Sequence, residues 1–167
     1  SGLVGSEMCI RDSVELAFDR MEEKEKTEAE SEALAGKRLL LAEDDRLCGE
    51  ILCELLEDET GRPVSITANG RAALEMFESA NGEYDAIIMD VQMPVMNGYE
   101  AARAIRRSGC GNAKTVPIIA LTADASEESA RAAADSGMNG CLTKPVNIDR
   151  LRKAVAAALK SLSVAYR

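Results

Sequence analysis

Short apolar runs alternate with helical stretches five times between Lys37 and Ser161, and few folds accept that rhythm. The apolar runs are Arg38–Ala42, Pro63–Ala68, Tyr84–Met89, Val116–Leu121 and Gly140–Leu142. None alternates cleanly between polar and apolar, as a strand with one wet face does. Each reads as a strand buried on both sides, the pattern of a parallel sheet. Between them lie stretches of helical spacing at Arg46–Glu59, Gly70–Ala80, Asn97–Arg107 and Ser126–Ser136, with a last one at Asn147–Ser161. Leu47, Ile51, Leu52 and Leu55 share one apolar face of the first stretch, and Leu74 and Phe77 point inward from the second. Repeated strand–helix units with right-handed crossovers predict a doubly wound α/β sandwich. In such sheets ligands bind beyond the carboxyl ends of the strands.

Composition narrows the function classes. The 167 residues carry a net charge of −9, which opposes direct nucleic-acid binding, because phosphate contacts need a basic surface. There is no histidine, which removes the usual general base and the commonest metal ligand. The five cysteines (Cys9, Cys48, Cys53, Cys110, Cys141) form no C-x-x-C pair and read as reduced thiols. No apolar stretch has membrane-spanning length, and the amino terminus has no signal-peptide pattern, so a cytoplasmic location is expected.

The charge is uneven. Residues 1–36 hold 4 Lys/Arg against 10 Asp/Glu, whereas the remainder holds 16 against 19. The segment 1–36 therefore reads as an acidic linker or solvent-exposed helix, residues 37–162 as the folded domain, and 163–167 as a tail. The first ~13 residues resemble translated adaptor sequence, and without an initiating Met the chain suits a piece of a longer protein.

Polar residues gather where the strands end. Strand one runs into Glu43-Asp44-Asp45, strand three into Asp90, strand four into Thr122 and strand five into Lys144. The steps from Asp44 through Asp90 and Thr122 to Lys144 are 46, 32 and 22 residues, each returning the chain to the same rim. Any one of these could be a helix cap or turn residue. Together they place carboxylates, an alcohol and an amine at one edge. Crowded carboxylates repel unless a cation joins them. Oxygen ligands without histidine or thiolate favour a hard ion such as Mg²⁺, with phosphate completing its coordination.

Four segments carry a resemblance: Leu39-Leu-Leu-Ala-Glu-Asp-Asp, Met89-Asp-Val-Gln-Met-Pro-Val-Met-Asn-Gly-Tyr-Glu, Ala120-Leu-Thr-Ala-Asp-Ala and Gly140-Cys-Leu-Thr-Lys-Pro. They resemble the receiver domain of two-component response regulators, most of all receivers of hybrid sensor histidine kinases. The resemblance implies a flavodoxin-like five-stranded sheet of order 2-1-3-4-5 with five flanking helices. It implies that Asp90 accepts a phosphoryl group from a partner phosphohistidine. Glu43, Asp44, Asp90 and the backbone carbonyl of Gln92 would hold Mg²⁺, Thr122 and Lys144 would bind the phosphoryl oxygens, and Lys144–Pro145 would be a cis peptide. The implied partner is a histidine kinase or histidine phosphotransfer protein, with no direct contact to nucleic acid or membrane. Cys141 stands where the family usually has an aromatic switch residue, so readout through a ring on the last strand is not expected.

A phosphatase-like hydrolase using Asp90 as nucleophile is the competing class. It usually needs a second acid two residues later, where this chain has Gln92. A phosphoacceptor with at most slow self-dephosphorylation, not an enzyme, is therefore expected.

Overall fold

Leu39, Leu40, Leu41 and Ala42 have no solvent exposure, and they form the interior strand β1. The computed structural model describes residues 20–165, with side chains to residue 162. The opening segment proposed to be adaptor-derived, and Cys9 with it, lies outside the described residues. Helix α1 is described over residues 20–34. The elements then run β1 (Leu39–Ala42), α2 (Arg46–Thr60), β2 (Ser65–Thr67), α3 (Gly70–Ser79), β3 (Ala86–Asp90), α4 (Gly98–Arg107), β4 (Ile118–Thr122), α5 (Glu127–Asp135), β5 (Gly140–Thr143) and α6 (Ile148–Ala165). All four pairings in the sheet are parallel, in the order β2-β1-β3-β4-β5. That is the expected doubly wound architecture, with α1 added as a sixth helix.

Alternate residues of the strands feed two cores. Leu40, Ala42, Ile87, Met89, Ile118 and Ala120 face α3 and α4, where Leu74, Phe77, Ala101 and Ile105 meet them. Leu39, Leu41, Ile88, Ile119 and Leu121 face the other side, covered by Leu52 and Leu56 of α2 and Leu151 and Val155 of α6. The two-residue period of a strand sends neighbours to opposite layers. With both layers apolar, no alternation is left to see in the sequence.

Two helices differ from their sequence-based reading. In α2 the buried residues are Gly49, Leu52, Leu56 and Thr60, whereas Leu47, Ile51 and Leu55 are 66%, 50% and 36% exposed. The helix thus carries two apolar stripes, one in the core and one in solvent. Helix α1 is exposed along most of its length, as its Glu/Lys run predicts, yet its last turn enters the core. Leu34 is wholly buried there, and the Gly36 N–H donates to the Thr60 carbonyl at 2.7 Å. Above it Arg152 of α6, only 8% exposed in its side chain, meets Glu59 at 2.7 Å, Asp149 at 2.6 Å and Glu30 of α1 at 3.9 Å. A buried guanidinium needs such partners, because its desolvation is not otherwise offset.

At the amino-terminal edge of the sheet Arg106 of α4 is clamped by two backbone carbonyls and one side-chain amide oxygen. It donates to Gly137 O at 2.9 and 2.7 Å, to Ala113 O at 2.8 Å and to Asn139 Oδ1 at 2.9 Å. These bonds fasten the loops that lead into β4 and β5, at the edge opposite the polar cluster.

Candidate functional site

Strand register brings the polar ends together. Asp90 pairs with Leu121 and Thr122 with Thr143, so β3, β4 and β5 finish at nearly the same height. Asp90 is 3% exposed. Its Oδ1 accepts the Gln92 N–H at 3.1 Å and its Oδ2 accepts from Lys144 Nζ at 2.9 Å. Lys144 leaves β5 through a cis peptide to Pro145, and its own N–H donates to the Thr122 carbonyl at 2.7 Å. The same ammonium lies 2.7 Å from Glu43 Oε2. Although that contact is an ion pair by distance, Glu43 Oε2 makes no hydrogen bond with proper geometry.

The three acids after β1 take separate positions. Glu43 is 2% exposed, and its Oε1 accepts the Asp45 N–H at 3.1 Å. Asp45 caps α2 by accepting the Cys48 N–H at 2.9 Å, which holds its carboxyl below the ordinary value. Asp44 stays exposed, with a carboxylate oxygen in reach of the site. One carboxylate oxygen each from Glu43, Asp44 and Asp90 lies within 4.8 Å of the others. Burial works against the charge of Lys144, but the hydrogen bond to Asp90 and the attraction of Asp90 and Glu43 prevail and raise its pKa.

The charge count supplies a fit test for a cation. Three carboxylates face one ammonium, so the cluster is two positive charges short of neutral. Its ligand atoms are oxygens, and the buried Glu43 Oε2 is met only by the charge of Lys144. A hard divalent ion matches both the charge and the donor type.

Thr122, 5% exposed, completes the rim. Its Oγ1 accepts the Asp124 N–H at 3.2 Å. The Asp124 carboxylate in turn accepts from Ser126 N–H at 3.0 Å, Ser126 Oγ at 2.7 Å and Ser129 Oγ at 3.0 Å. These bonds depress the Asp124 pKa and fasten the start of α5 to the loop. This serine–aspartate cluster escaped the sequence reading. Its only signal was an Asp-x-Ser spacing before a helix, common in ordinary caps.

Cys141 lies half-buried in β5, against the same core layer as Tyr99. Burial pushes its thiol pKa up, and Asp124 adds to the effect. Cys48, Cys53, Cys110 and Cys141 are all unpaired.

The loop from β3 to α4 shows how closely the site is built. A Cβ on Gly98 would run into the Asp90 carbonyl, so only glycine lets α4 start against the end of β3. Three residues earlier in that loop Val95 is 82% exposed with φ +70°, and the Met96 N–H reaches back to the Pro94 carbonyl at 2.7 Å. A β-branched residue at the centre of such a γ-turn is strained. Val95→Gly should therefore stabilise the fold by about 1 kcal/mol, the strain relieved exceeding the entropy glycine adds to the unfolded chain. Thermal denaturation checks this, and a melting temperature at or below that of the parent chain would count against strain.

A groove of about 460 Å³ opens beside the acids. Cys48, Ile51, Leu52 and Leu55 of α2 form one wall, and Pro145 and Val146 form the other.

A doubly wound sheet carrying clustered acids and one lysine at its carboxyl edge has its charged groups where α/β folds of this class bind ligands. Comparison with known proteins specifies the family. The chain belongs to the response regulator receiver domain family, which it matches over residues 39–156. It is a receiver module of two-component signalling. Among curated proteins it is 33% identical over 114 residues to hybrid signal transduction histidine kinase I of Dictyostelium discoideum, covering 66% of this chain and 6% of that one. Against three histidine kinases that it matches, the chain spans 6% to 17% of their length. Among solved structures it is similar to the receiver domain of a sensor histidine kinase of Pseudomonas aeruginosa PAO1, determined with magnesium in the active-site cleft. The identity is 35% and the TM-score 0.64, over 75% of this chain and 99% of that one. It is also similar to the receiver domain of Saccharomyces cerevisiae Ssk1, solved with the phosphotransfer protein Ypd1. There the identity is 30% and the TM-score 0.68, over 77% of this chain and 92% of that one.

Proposed function

We propose that Asp90 is the phosphoacceptor of this receiver. The observation that carries the reading is the single ammonium of Lys144 lying between the buried carboxylates of Asp90 and Glu43. An Asp90 carboxylate oxygen attacks the phosphorus of a partner phosphohistidine. The P–O bond forms as the P–N bond breaks, and its electron pair returns to the imidazole nitrogen. The product is an acyl phosphate. Lys144 holds one phosphoryl oxygen by charge, and the Thr122 hydroxyl donates to another. Phosphoryl transfer depends mainly on such positioning and charge neutralisation. Glu43, Asp44 and Asp90, with the backbone carbonyl of Gln92, are the residues that would hold Mg²⁺. That ion would supply the positive charge the cluster lacks. Gln92 stands where a hydrolase would carry an acid to activate water, which suits slow self-dephosphorylation. The free thiols suit a cytoplasmic setting.

Mg²⁺ alone should raise the melting temperature. Binding only to the folded state adds about 1.4 kcal/mol at ten times the dissociation constant. An unchanged midpoint between EDTA and ~10 mM Mg²⁺, ample for a hydrated site, would argue against the ligand set.

The docking site for the donor is the exposed stripe of α2 and the groove beside it. Leu47 and Ile51 lie next to the acidic rim, where an apolar helix of a histidine phosphotransfer domain can lie with its phosphohistidine over Asp90. Ile51→Asp should slow transfer from such a protein by roughly tenfold or more, the loss of one buried anchor. Labelling by acetyl phosphate should stay unchanged, since that donor needs no docking. Equal slowing with both donors, or with neither, would refute this placement.

A further inference from the structure

We propose that Tyr99 and Asp124 are positioning residues that link Thr122 to the seam between α4 and α5, so that the state of Asp90 is read there. The proposal rests on Asp90 being the phosphoacceptor. It adds where the signal leaves the site.

The links are continuous. The Asp124 N–H donates to Thr122 Oγ1 at 3.2 Å. The Asp124 carboxylate accepts the Ser129 hydroxyl at 3.0 Å, and the Ser129 carbonyl accepts the Tyr99 hydroxyl at 3.4 Å. Three hydrogen bonds thus run from the rim of the phosphate site, through the first turn of α5, to a side chain of α4. When Thr122 turns its proton to a phosphoryl oxygen, its Oγ1 moves. That oxygen is the acceptor of the Asp124 amide, so the amide and the carboxylate beyond it move as well. Ser126 and Ser129 are held by that carboxylate and carry the first turn of α5 with them.

The far end of the chain is suited to respond. At 3.4 Å the Tyr99–Ser129 bond is at the long limit of its kind, where a small displacement makes or breaks it. Tyr99 is half-buried, and burial, with Cys141 and Asp124 nearby, keeps its hydroxyl protonated and a donor. Helix α5 buries only Ala133, so its first turn can shift without opening the core. Because β5 offers only the small Cys141 thiol, the aromatic group facing α5 comes from α4.

The chain's three tyrosines make the idea measurable. Tyr84 lies before β3, at the opposite end of the sheet, buried against Phe77. The full chain, labelled with ¹³C in its tyrosine rings and ¹⁵N in its backbone, is compared by NMR before and after adding Mg²⁺ and beryllofluoride. The Tyr99 ring signals should shift while those of Tyr84 stay. Asp124→Ala should abolish the Tyr99 shift yet leave the Thr122 amide shift, and Asp124→Asn should restore part of it. Ser129→Ala keeps the carbonyl that Tyr99 uses and suits a helix, so it provides a second cut should Asp124→Ala fail to fold. Tyr99 signals that stay put while Asp90 and Thr122 shift overturn the relay alone. A Tyr99 shift of full size in both cut variants overturns it too. If neither Asp90 nor Thr122 responds, the phosphoacceptor reading fails and the relay falls with it.

Discussion

Asp90→Asn should take up no phosphoryl group from acetyl phosphate in Mg²⁺, while the parent chain should be labelled at one site. The amide has the shape of the carboxylate and can still accept from Lys144, so the fold and the Lys144 contact persist. It lacks the anionic oxygen that attacks phosphorus. Asp44 and Glu43 do not substitute. Asp44 stands in the exposed turn after β1, and the buried Glu43 is already paired with the Asp45 amide and Lys144. Intact-mass measurement reads the result directly, and labelling of Asp90→Asn at the parent level would remove the assignment.

Leu34→Ala should lower stability by about 3 kcal/mol, within the range for truncating a fully buried leucine. For a domain of this size the melting temperature should fall by roughly 6–12 °C. Leu34 packs with Leu39, Leu41, Leu52 and Leu56, so removing it leaves a cavity beneath α1. The Arg152 cluster and the small Ala33 would then be left to hold the helix. A loss under about 1 kcal/mol would mean that the last turn of α1 rests on the domain without stabilising it. The boundary at residue 37, drawn from composition, would then describe the folded unit better than the packing does.

The two predictions differ in how far the sequence supports them. Asp90 was legible because it ends an apolar run and stands in a motif with one characteristic spacing. The place of Leu34 was not legible. One leucine in a Glu/Lys-rich helix produces no apolar period, and its burial depends on α2 and α6, far along the chain. Helix α2 was half legible. Its apolar residues marked a helix, but they fill two stripes. Only packing against the sheet selected Leu52 and Leu56 for the core and left Leu47 and Ile51 outside.

The sequence by itself determined the alternation of strands and helices, the parallel sheet and the meeting of four polar residues at one edge. Those features follow from periodicity within each element and from the fact that every strand–helix unit returns the chain to the same side. Tertiary structure decided the separate positions of Glu43, Asp44 and Asp45, the ion pairs around Arg152 and the path from Thr122 to Tyr99. Each of those depends on distances between elements far apart in the chain. Such distances are set by strand register and helix packing, and local periodicity carries no information about them.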